Sequence, residues 1–281
     1  MGLSKLKSPA FYTRIASAIV ALAIVYLLFA FFSLNGLKVL CLVAVIVGTW
    51  ELINILFHPD DPIRTKTFFY ILNVFLFIIS ANFIELSASV FASVSVIYIS
   101  ASLWLHKRFE DLSSFSNFAS RSILGFLYIG LLPAFACGLL DLKHGLIWFL
   151  TLLAVVFAGD SFAYIFGILW GNKKLMPEIS PKKTLIGSVG GLIGSASAAL
   201  ICSSFLPDMS YFLVAILGFI TGAIGQMGDL FESMLKRVAD VKDSGSIMPG
   251  HGGILDRLDG VLFASPVFFI GALLLERMYL S

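Results

Sequence analysis

The 281-residue chain has few charged residues. Only 13% are Asp, Glu, Lys or Arg, whereas 59% are hydrophobic and 27 are phenylalanine. This composition excludes an ordinary water-soluble domain, and its long apolar runs are typical of membrane-spanning helices. The formal net charge is only +2, so the chain offers no case for a nucleic-acid-binding protein.

Cysteine is also scarce. The three cysteines, Cys41, Cys137 and Cys202, all lie in apolar runs, and no two of them form a CxxC pair. An odd number at this spacing excludes a disulfide framework and a zinc site, so we interpret them as small core or lipid-facing residues. The sequence also has no Walker motif, tandem repeat or low-complexity tract.

Nine apolar segments predict an all-α polytopic membrane bundle, since about 20 residues cross the hydrocarbon core as a helix. We interpret the first segment as a retained anchor, because no small-residue cleavage site follows it. The boundary between the third and fourth segments, near Asn82–Glu85, is weakly marked. The segments lie at roughly 15–33, 37–57, 68–84, 86–105, 122–140, 145–170, 186–206, 211–228 and 260–279.

The distribution of basic residues orients these segments. With the N-terminus in the cytoplasm, only Lys38, Lys143 and Arg277 of the 19 Lys and Arg residues fall outside, which leaves 16 inside. Cytoplasmic loops of membrane proteins carry such an excess of positive charge. The asymmetry predicts nine spans with the N-terminus inside and the C-terminus outside.

The stretch Ser233–Asp259, SMLKRVADVKDSGSIMPGHGGILDRLD, concentrates acids, cations, glycines and a histidine in this otherwise apolar chain. Carboxylate oxygens suit hard divalent cations. Glycines let backbone N–H groups approach an anion. The mixture therefore indicates a site for a metal and phosphates on the cytoplasmic face.

Five acids are candidates for that site. Asp256 and Asp259 are three residues apart and share one face if their segment is helical. Asp229 ends the eighth apolar segment, Asp243 lies in the polar connection, and Asp160 interrupts the sixth apolar run. An ionisable residue at membrane depth indicates a functional site. The alternative is that these acids only neutralise neighbouring cations.

A second polar cluster, SPKKT, precedes the seventh segment. Lys182, Lys183 and Thr184 there form a candidate phosphate site, because lysines and a hydroxyl at a helix N-terminus attract anions. The alternative is the ordinary positive-inside bias, with the lysine side chains reaching for lipid headgroups. The sequence alone leaves both open.

At these residues the chain closely resembles the phosphatidate cytidylyltransferases, also called CDP-diacylglycerol synthases. The upstream GDSFAYIFG and SPKKT also look like family motifs, so the resemblance covers roughly Gly159–Asp259. Ile186 stands where the family often has Glu, so no role of that Glu carries over. The residues that match the family's C-terminal signature are Ser233, Lys236, Arg237, Lys242, Asp243, His251, Gly252, Gly253, Asp256, Arg257 and Asp259.

The resemblance implies a membrane enzyme that converts CTP and phosphatidate to CDP-diacylglycerol and pyrophosphate. It implies catalytic roles for Asp229, Asp256, Asp259, Lys236 and Arg237, with Mg²⁺ on the three aspartates and a second cation left open. The substrate-binding residues that we infer with it are Lys182, Lys183, Thr184, Lys242, Asp243, His251, Arg257 and Asp160.

The resemblance also implies a homodimer, and the plain N-terminus indicates a bacterial inner-membrane protein with its site facing the cytoplasm. We expect residues 1–140 to form a scaffold that carries any dimer contacts, and residues 141–281 to carry the site. A membrane ion transporter that uses intramembrane carboxylates remains the alternative class. The motif of the CDP-alcohol phosphatidyltransferases, a second alternative, is not found.

Overall fold

The structure, a computed structural model, describes residues 9–109, 111–247 and 252–280. Its side chains are described from Leu27 onward, apart from Arg108 and Leu280. Most of these residues are helical. The helices are α1 (Pro9–Leu56), α2 (Ile63–Asn82), α3 (Ser87–Leu103), α4 (Leu112–Gly125), α5 (Leu132–Gly138), α6 (Gly145–Trp170), α7 (Leu185–Cys202), α8 (Tyr211–Val238) and α9 (Leu255–Leu280).

Eight stretches of the described residues are long and apolar enough to cross a membrane. The protein is therefore an integral membrane protein with an all-α bundle, as its composition predicts. The predicted spans 15–33 and 37–57 fall within α1, which breaks at Ser33, where φ is 52° and ψ is −137°. The first of these spans lies largely among residues without described side chains, so the predicted count of nine stays a prediction.

Helices α1 to α5 pack around an aromatic cluster. Phe69 lies at its centre, with ring centroids 4.6 Å from Phe126, 5.1 Å from Phe57 and 6.0 Å from Tyr98. Between α4 and α5 the chain forms a π-helical turn over Phe126–Leu131. Aromatic rings bury large areas, so this cluster forms much of the apolar core between these helices.

Helices α6 to α9 pack closely against one another. Gly187, Gly190, Gly191 and Gly194 on α7 are buried or nearly so and allow a close approach to α6. A Cβ atom on Gly194 would lie 2.6 Å from Cγ of Phe162. Glycine at this spacing lets two membrane helices bring their backbones together.

The boundaries of α8 and α9 differ from the predicted ones. The predicted eighth segment ends at residue 228, but α8 continues for ten residues to Val238. The last predicted segment begins at residue 260, whereas α9 begins at Leu255. The reason is that hydropathy marks the apolar part of a helix, while polar residues with good helix propensity extend it. Asp256 and Asp259 are accordingly helical and three residues apart.

A short hairpin, which the sequence reading does not predict, connects α6 to α7. Strands β1 (Lys174–Met176) and β2 (Ser180–Thr184) are antiparallel, with Lys174 opposite Thr184. Lys182 and Lys183 therefore lie on a strand just before α7, not on the helix itself. Only Thr184 caps the helix, since its hydroxyl accepts a hydrogen bond from Gly187 N at 3.1 Å.

Candidate active site

A cavity of about 710 Å³ opens among α6 to α9 and the hairpin. This volume lies in the range of small-molecule sites, about 300–1,000 Å³. The lining residues come from both polar motifs and from the intramembrane part of α6. They are Asp160, Ala163, Tyr164, Gly167, Ile168, Gly171, Lys174, Leu175, Lys182, Lys183, Thr184, Gly187, Ser188, Gln226, Asp229, Lys236, Asp243, Asp256, Arg257 and Asp259.

The charges along this lining balance. Five carboxylates and five cations contribute to it, so its formal charge is zero with every group ionised. A polyanion would add negative charge to a wall that already holds five acids. Any such ligand would therefore need further positive charge, which a hard cation supplies most compactly.

Lys183 and Asp229 join the hairpin to α8. Lys183 Nζ lies 2.5 Å from Asp229 Oδ2, and both side chains remain partly exposed to the cavity. The pair brings the SPKKT segment into contact with Asp229, which precedes the C-terminal signature on α8. A ligand phosphate that approached here would meet a lysine already held in place.

Three ionisable groups form a buried chain behind Asp229. Lys236 Nζ lies 3.1 Å from Oε2 of Glu232, which is fully buried. The carboxyl groups of Glu232 and Asp259 are neighbours, and Asp229 adds a third negative charge nearby. Adjoining carboxylates of this kind require a proton or a cation between them.

Asp256 is the most strongly held acid of the site. Its Oδ1 accepts a hydrogen bond from Lys236 Nζ at 2.5 Å. Its Oδ2 accepts from Ser244 N at 2.8 Å, Ser244 Oγ at 2.9 Å and Gly253 N at 2.9 Å. Gly252 beside it has a φ of 82°, which glycine adopts without strain. These contacts fold the connection between α8 and α9 around the Asp256 carboxylate.

The α6 wall combines a carboxylate with exposed apolar surface. Asp160 lines the cavity and lies within electrostatic range of Asp229, Lys183 and Arg257. About one and two turns further along, Tyr164 and Ile168 also line the cavity, yet they are 71% and 63% exposed. The cavity therefore combines charged groups with an exposed apolar wall on α6.

Gln226 and Ser188 supply uncharged polar groups to the same lining. Gln226 Nε2 donates to the backbone oxygen of Ser188 at 3.0 Å, and the Ser188 hydroxyl donates to Gln226 Oε1. The two contacts connect α7 to α8 just above Asp229. They fix the position of α7 relative to α8 along this part of the cavity wall.

Two of the sequence-predicted residues lie away from this lining. Arg237 is directed toward the hairpin, where its Nε donates to Ile179 O at 3.4 Å. Lys242 is exposed on the connection after α8. His251 lies outside the described residues. The other predicted residues all line the cavity.

The three aspartates assigned to a metal line one cavity, but they do not form a tight triad. Among the residues whose side chains the structure describes, no three His, Cys, Asp or Glu side chains are grouped so as to hold one metal ion. The Asp229 carboxylate is paired with Lys183, and the Asp256 carboxylate has four hydrogen-bond donors around it. Asp259, beside Glu232, has the carboxylate environment that most requires a cation.

The sequence reading missed two acids that the structure buries near the site. Glu232 and Glu51 are both fully buried, and each interrupts an apolar or amphipathic helix. The signal that indicates Asp160, an ionisable residue among apolar ones, also applies to Glu51. This signal is present in the sequence at Glu51, and Glu51 belongs to the same site.

Comparison with known proteins supports this arrangement of motifs. A model of the cytidylyltransferase family matches residues 12–275. A phosphatidate cytidylyltransferase from Staphylococcus saprophyticus is 47% identical over 129 residues, which cover 46% of this chain and 50% of that protein. One from Bacillus subtilis is 43% identical over 154 residues, covering 53% of this chain and 57% of its own.

These two alignments thus span only about half of each relative. A phosphatidate cytidylyltransferase from Haemophilus influenzae is 34% identical over 281 aligned positions, which cover 91% of this chain and 96% of that protein. The family match and this alignment both extend through the N-terminal half, where the sequence motifs alone are unspecific. The chain therefore belongs to the cytidylyltransferase family.

Proposed function

We propose that this protein is a phosphatidate cytidylyltransferase, which forms CDP-diacylglycerol and pyrophosphate from CTP and phosphatidate. In this reaction a phosphate oxygen of phosphatidate forms a bond to the α-phosphorus of CTP. The bond from that phosphorus to the oxygen bridging to the β-phosphorus breaks, and pyrophosphate leaves with the electron pair. The nucleophile is already an anion, so positioning and charge stabilisation supply most of the rate.

The observation that carries the proposal is the two-sided cavity. Its interior presents lysines and carboxylates from the two family motifs, which suit a nucleoside triphosphate. Its α6 wall exposes Tyr164 and Ile168 on a helix long and apolar enough to cross a membrane, which suits the acyl chains of a lipid. One substrate that is a lipid and one that is water-soluble would meet at such a place.

The cations have distinct positions in this scheme. Lys182 and Lys183 line the cavity from β2, and Lys236 and Arg257 line it from α8 and α9. Phosphate oxygens would accept hydrogen bonds from both pairs and be held by them. Arg237 contacts the hairpin, so we propose that it supports Lys182 and Lys183 through Ile179.

The carboxylates fit a bound Mg²⁺, which we propose to be held by Asp229 and Asp259. Mg²⁺ in phosphate-transfer sites uses one or two carboxylates, with phosphates and water as its other ligands. The neighbouring acids Asp259 and Glu232 need a cation or a proton in any case. When bound, Mg²⁺ would neutralise charge on the transferring phosphates. We propose that Asp256, with four donors already, shapes the site, and we leave a second cation open.

The location follows from the charges at the two ends of the bundle. The three basic residues predicted to lie outside gather at the end opposite the cavity, where Lys38 pairs with Asp141 at 2.5 Å and Lys143 N contacts Glu276. We propose that the protein lies in a bacterial inner membrane with the cavity facing the cytoplasm, where CTP is available, and that it functions as a homodimer.

The test is release of pyrophosphate by the purified protein in phosphatidylcholine vesicles, with and without phosphatidate. We expect release only when CTP, Mg²⁺ and phosphatidate are all present. Release without phosphatidate, or none at all, contradicts the proposal. Ion flux through the same vesicles without nucleotide would instead favour the transporter alternative.

Asp229→Asn and Asp259→Asn test the assignment of the metal. Each change removes an anionic ligand, so we expect loss of turnover and weaker Mn²⁺ binding, measured by electron paramagnetic resonance. Asp141→Asn is the matched control, because Asp141 also accepts a lysine at 2.5 Å, but at the opposite end. Near-normal turnover and Mn²⁺ binding in both site variants would remove the metal from these residues.

A further inference from the structure

A carboxylate from the N-terminal half lies directly behind the site. Glu51 on α1 is fully buried and has three donors within hydrogen-bonding distance, on residues about 200 positions later in the chain. Its Oε1 accepts from Ile254 N at 3.1 Å, and its Oε2 accepts from Leu255 N at 2.9 Å. The Ser244 hydroxyl lies 3.2 Å from Oε2. A buried carboxylate with three donors is a specific structural contact, because an unpaired one would be costly.

The backbone around Glu51 is shaped to admit its carboxylate. A Cβ atom on Gly245 would lie 2.8 Å from Glu51 Cδ, and one on Gly253 would lie 2.6 Å from it. Only glycine leaves enough room at these two positions. The two ends of the connection between α8 and α9 therefore meet at a single side chain of α1.

The same contacts lead directly to Asp256. Leu255, whose N–H donates to Glu51, is its chain neighbour at the start of α9. The Ser244 hydroxyl lies 2.9 Å from Asp256 Oδ2 and accepts from Asp256 N at 3.2 Å. The hydroxyl has one hydrogen, so it can donate to Glu51 or to Asp256 but not to both at once. Glu51 is therefore connected to Asp256 in two ways, through Leu255 and through Ser244.

We propose that Glu51 is a positioning residue for the cytidylyltransferase reaction. By holding Ile254 N and Leu255 N, its carboxylate sets the start and the orientation of α9, and so places Asp256 and Asp259 against the cavity. The negative charge also suits the N-terminal end of the helix dipole. The N-terminal half then contributes directly to the geometry of a site whose motifs all lie in the C-terminal half.

The inference rests on the proposed function for its kinetic test and on the contacts alone for its structural test.

Glu276 provides a matched control. It is also a mostly buried carboxylate with three donors at a helix N-terminus, since it accepts from Lys143 N, His144 N and Trp148 Nε1 at 2.9–3.0 Å. It lies about 30 Å from Asp256 along α9, as 20 residues of helix require.

The experiment compares Glu51→Gln, Glu51→Ala and Glu276→Gln with the unmodified protein in phosphatidate vesicles. We expect Glu51→Ala to lower kcat by about 100-fold, the effect of a misplacement of about 1 Å, with the KM for CTP little changed. Glu51→Gln should recover part of kcat, because its amide oxygen still accepts one N–H while its NH₂ opposes another. Glu276→Gln should keep the kcat of the unmodified protein.

Hydrogen exchange of the peptide that covers residues 252–260 supplies a readout that does not depend on activity. We expect faster exchange at Ile254 and Leu255 in the Glu51 variants and not in Glu276→Gln. If Glu51→Ala does not fold, Glu51→Gln carries both measurements. An inactive unmodified protein would overturn the proposed function, while the exchange result would still decide whether Glu51 anchors α9.

Two results would overturn the inference. The first is a folded Glu51→Gln protein with unchanged exchange at Ile254 and Leu255. The second is an equal loss of kcat in Glu51→Gln and Glu276→Gln, which would indicate a general effect of lost packing and not a specific effect on the site.

Discussion

Lys236 neutralises two acids that have little other access to positive charge. Its ammonium lies 3.1 Å from Glu232 and 2.5 Å from Asp256, and the three side chains are only 13%, 0% and 8% exposed. Lys236→Met keeps the apolar stem of the side chain but removes the charge. It leaves two buried carboxylates with one fewer cation, so we expect a large loss of stability together with a loss of activity.

The structure sets the magnitude through burial. Removing one partner of a buried ion pair destabilises a protein by about 3–5 kcal/mol. Lys38→Met is the matched control, because Lys38 and Asp141 are also 2.5 Å apart but are 27% and 56% exposed. An exposed pair contributes only about 0–1 kcal/mol. The difference between the two variants therefore isolates the effect of burial.

A double variant separates stability from catalysis. Glu232→Gln in the Lys236→Met protein removes one of the unpaired charges, and we expect it to recover about 0.5–3 kcal/mol, the usual range of coupling between contacting residues. Pyrophosphate release should remain low, because the Lys236 ammonium no longer faces the phosphates. Stability is measured by denaturant and thermal unfolding of the purified protein in detergent micelles.

The reasoning fails if Lys236→Met loses no more stability than Lys38→Met. It also fails in its catalytic part if the double variant recovers activity along with stability. In that case Lys236 would serve only to neutralise Glu232 and Asp256, and the phosphate-binding role would pass to the other cations of the cavity.

Three further predictions concern packing, capping and topology. Gly228→Ala should destabilise the protein by about 1–3 kcal/mol and lower kcat. The reason is that the added Cβ would lie 2.8 Å from Cβ of Phe263 and would clash with the Asp259 backbone. Unchanged unfolding and turnover would contradict this contact. Thr184→Ala should cost about 1 kcal/mol through the lost cap of α7, and Thr184→Ser should restore it in the same unfolding measurement. Single cysteines placed at Ser4 and Ser281 should label from opposite sides of sealed vesicles, and labelling from one side would refute an odd number of spans.

The amino-acid sequence by itself determines the class of the protein and predicts the chemistry of its site. Apolar length is a local property, so hydropathy predicts the spans without knowledge of their packing. The residue types at Asp229, Asp256 and Asp259 likewise indicate hard-cation and phosphate chemistry wherever they lie. The helix ends were predicted less well, since α8 continues past its apolar part to Val238.

Only the tertiary structure decides which of these residues meet. Lys183 and Asp229 are 46 positions apart, and Glu51 is about 200 positions from Leu255, yet each pair is in contact. No periodicity encodes such distances, because they depend on how the helices pack through glycines and aromatic rings that are far apart in sequence. Packing therefore separates the acids that face the cavity from Glu51, which has the same charge but supports the site from behind.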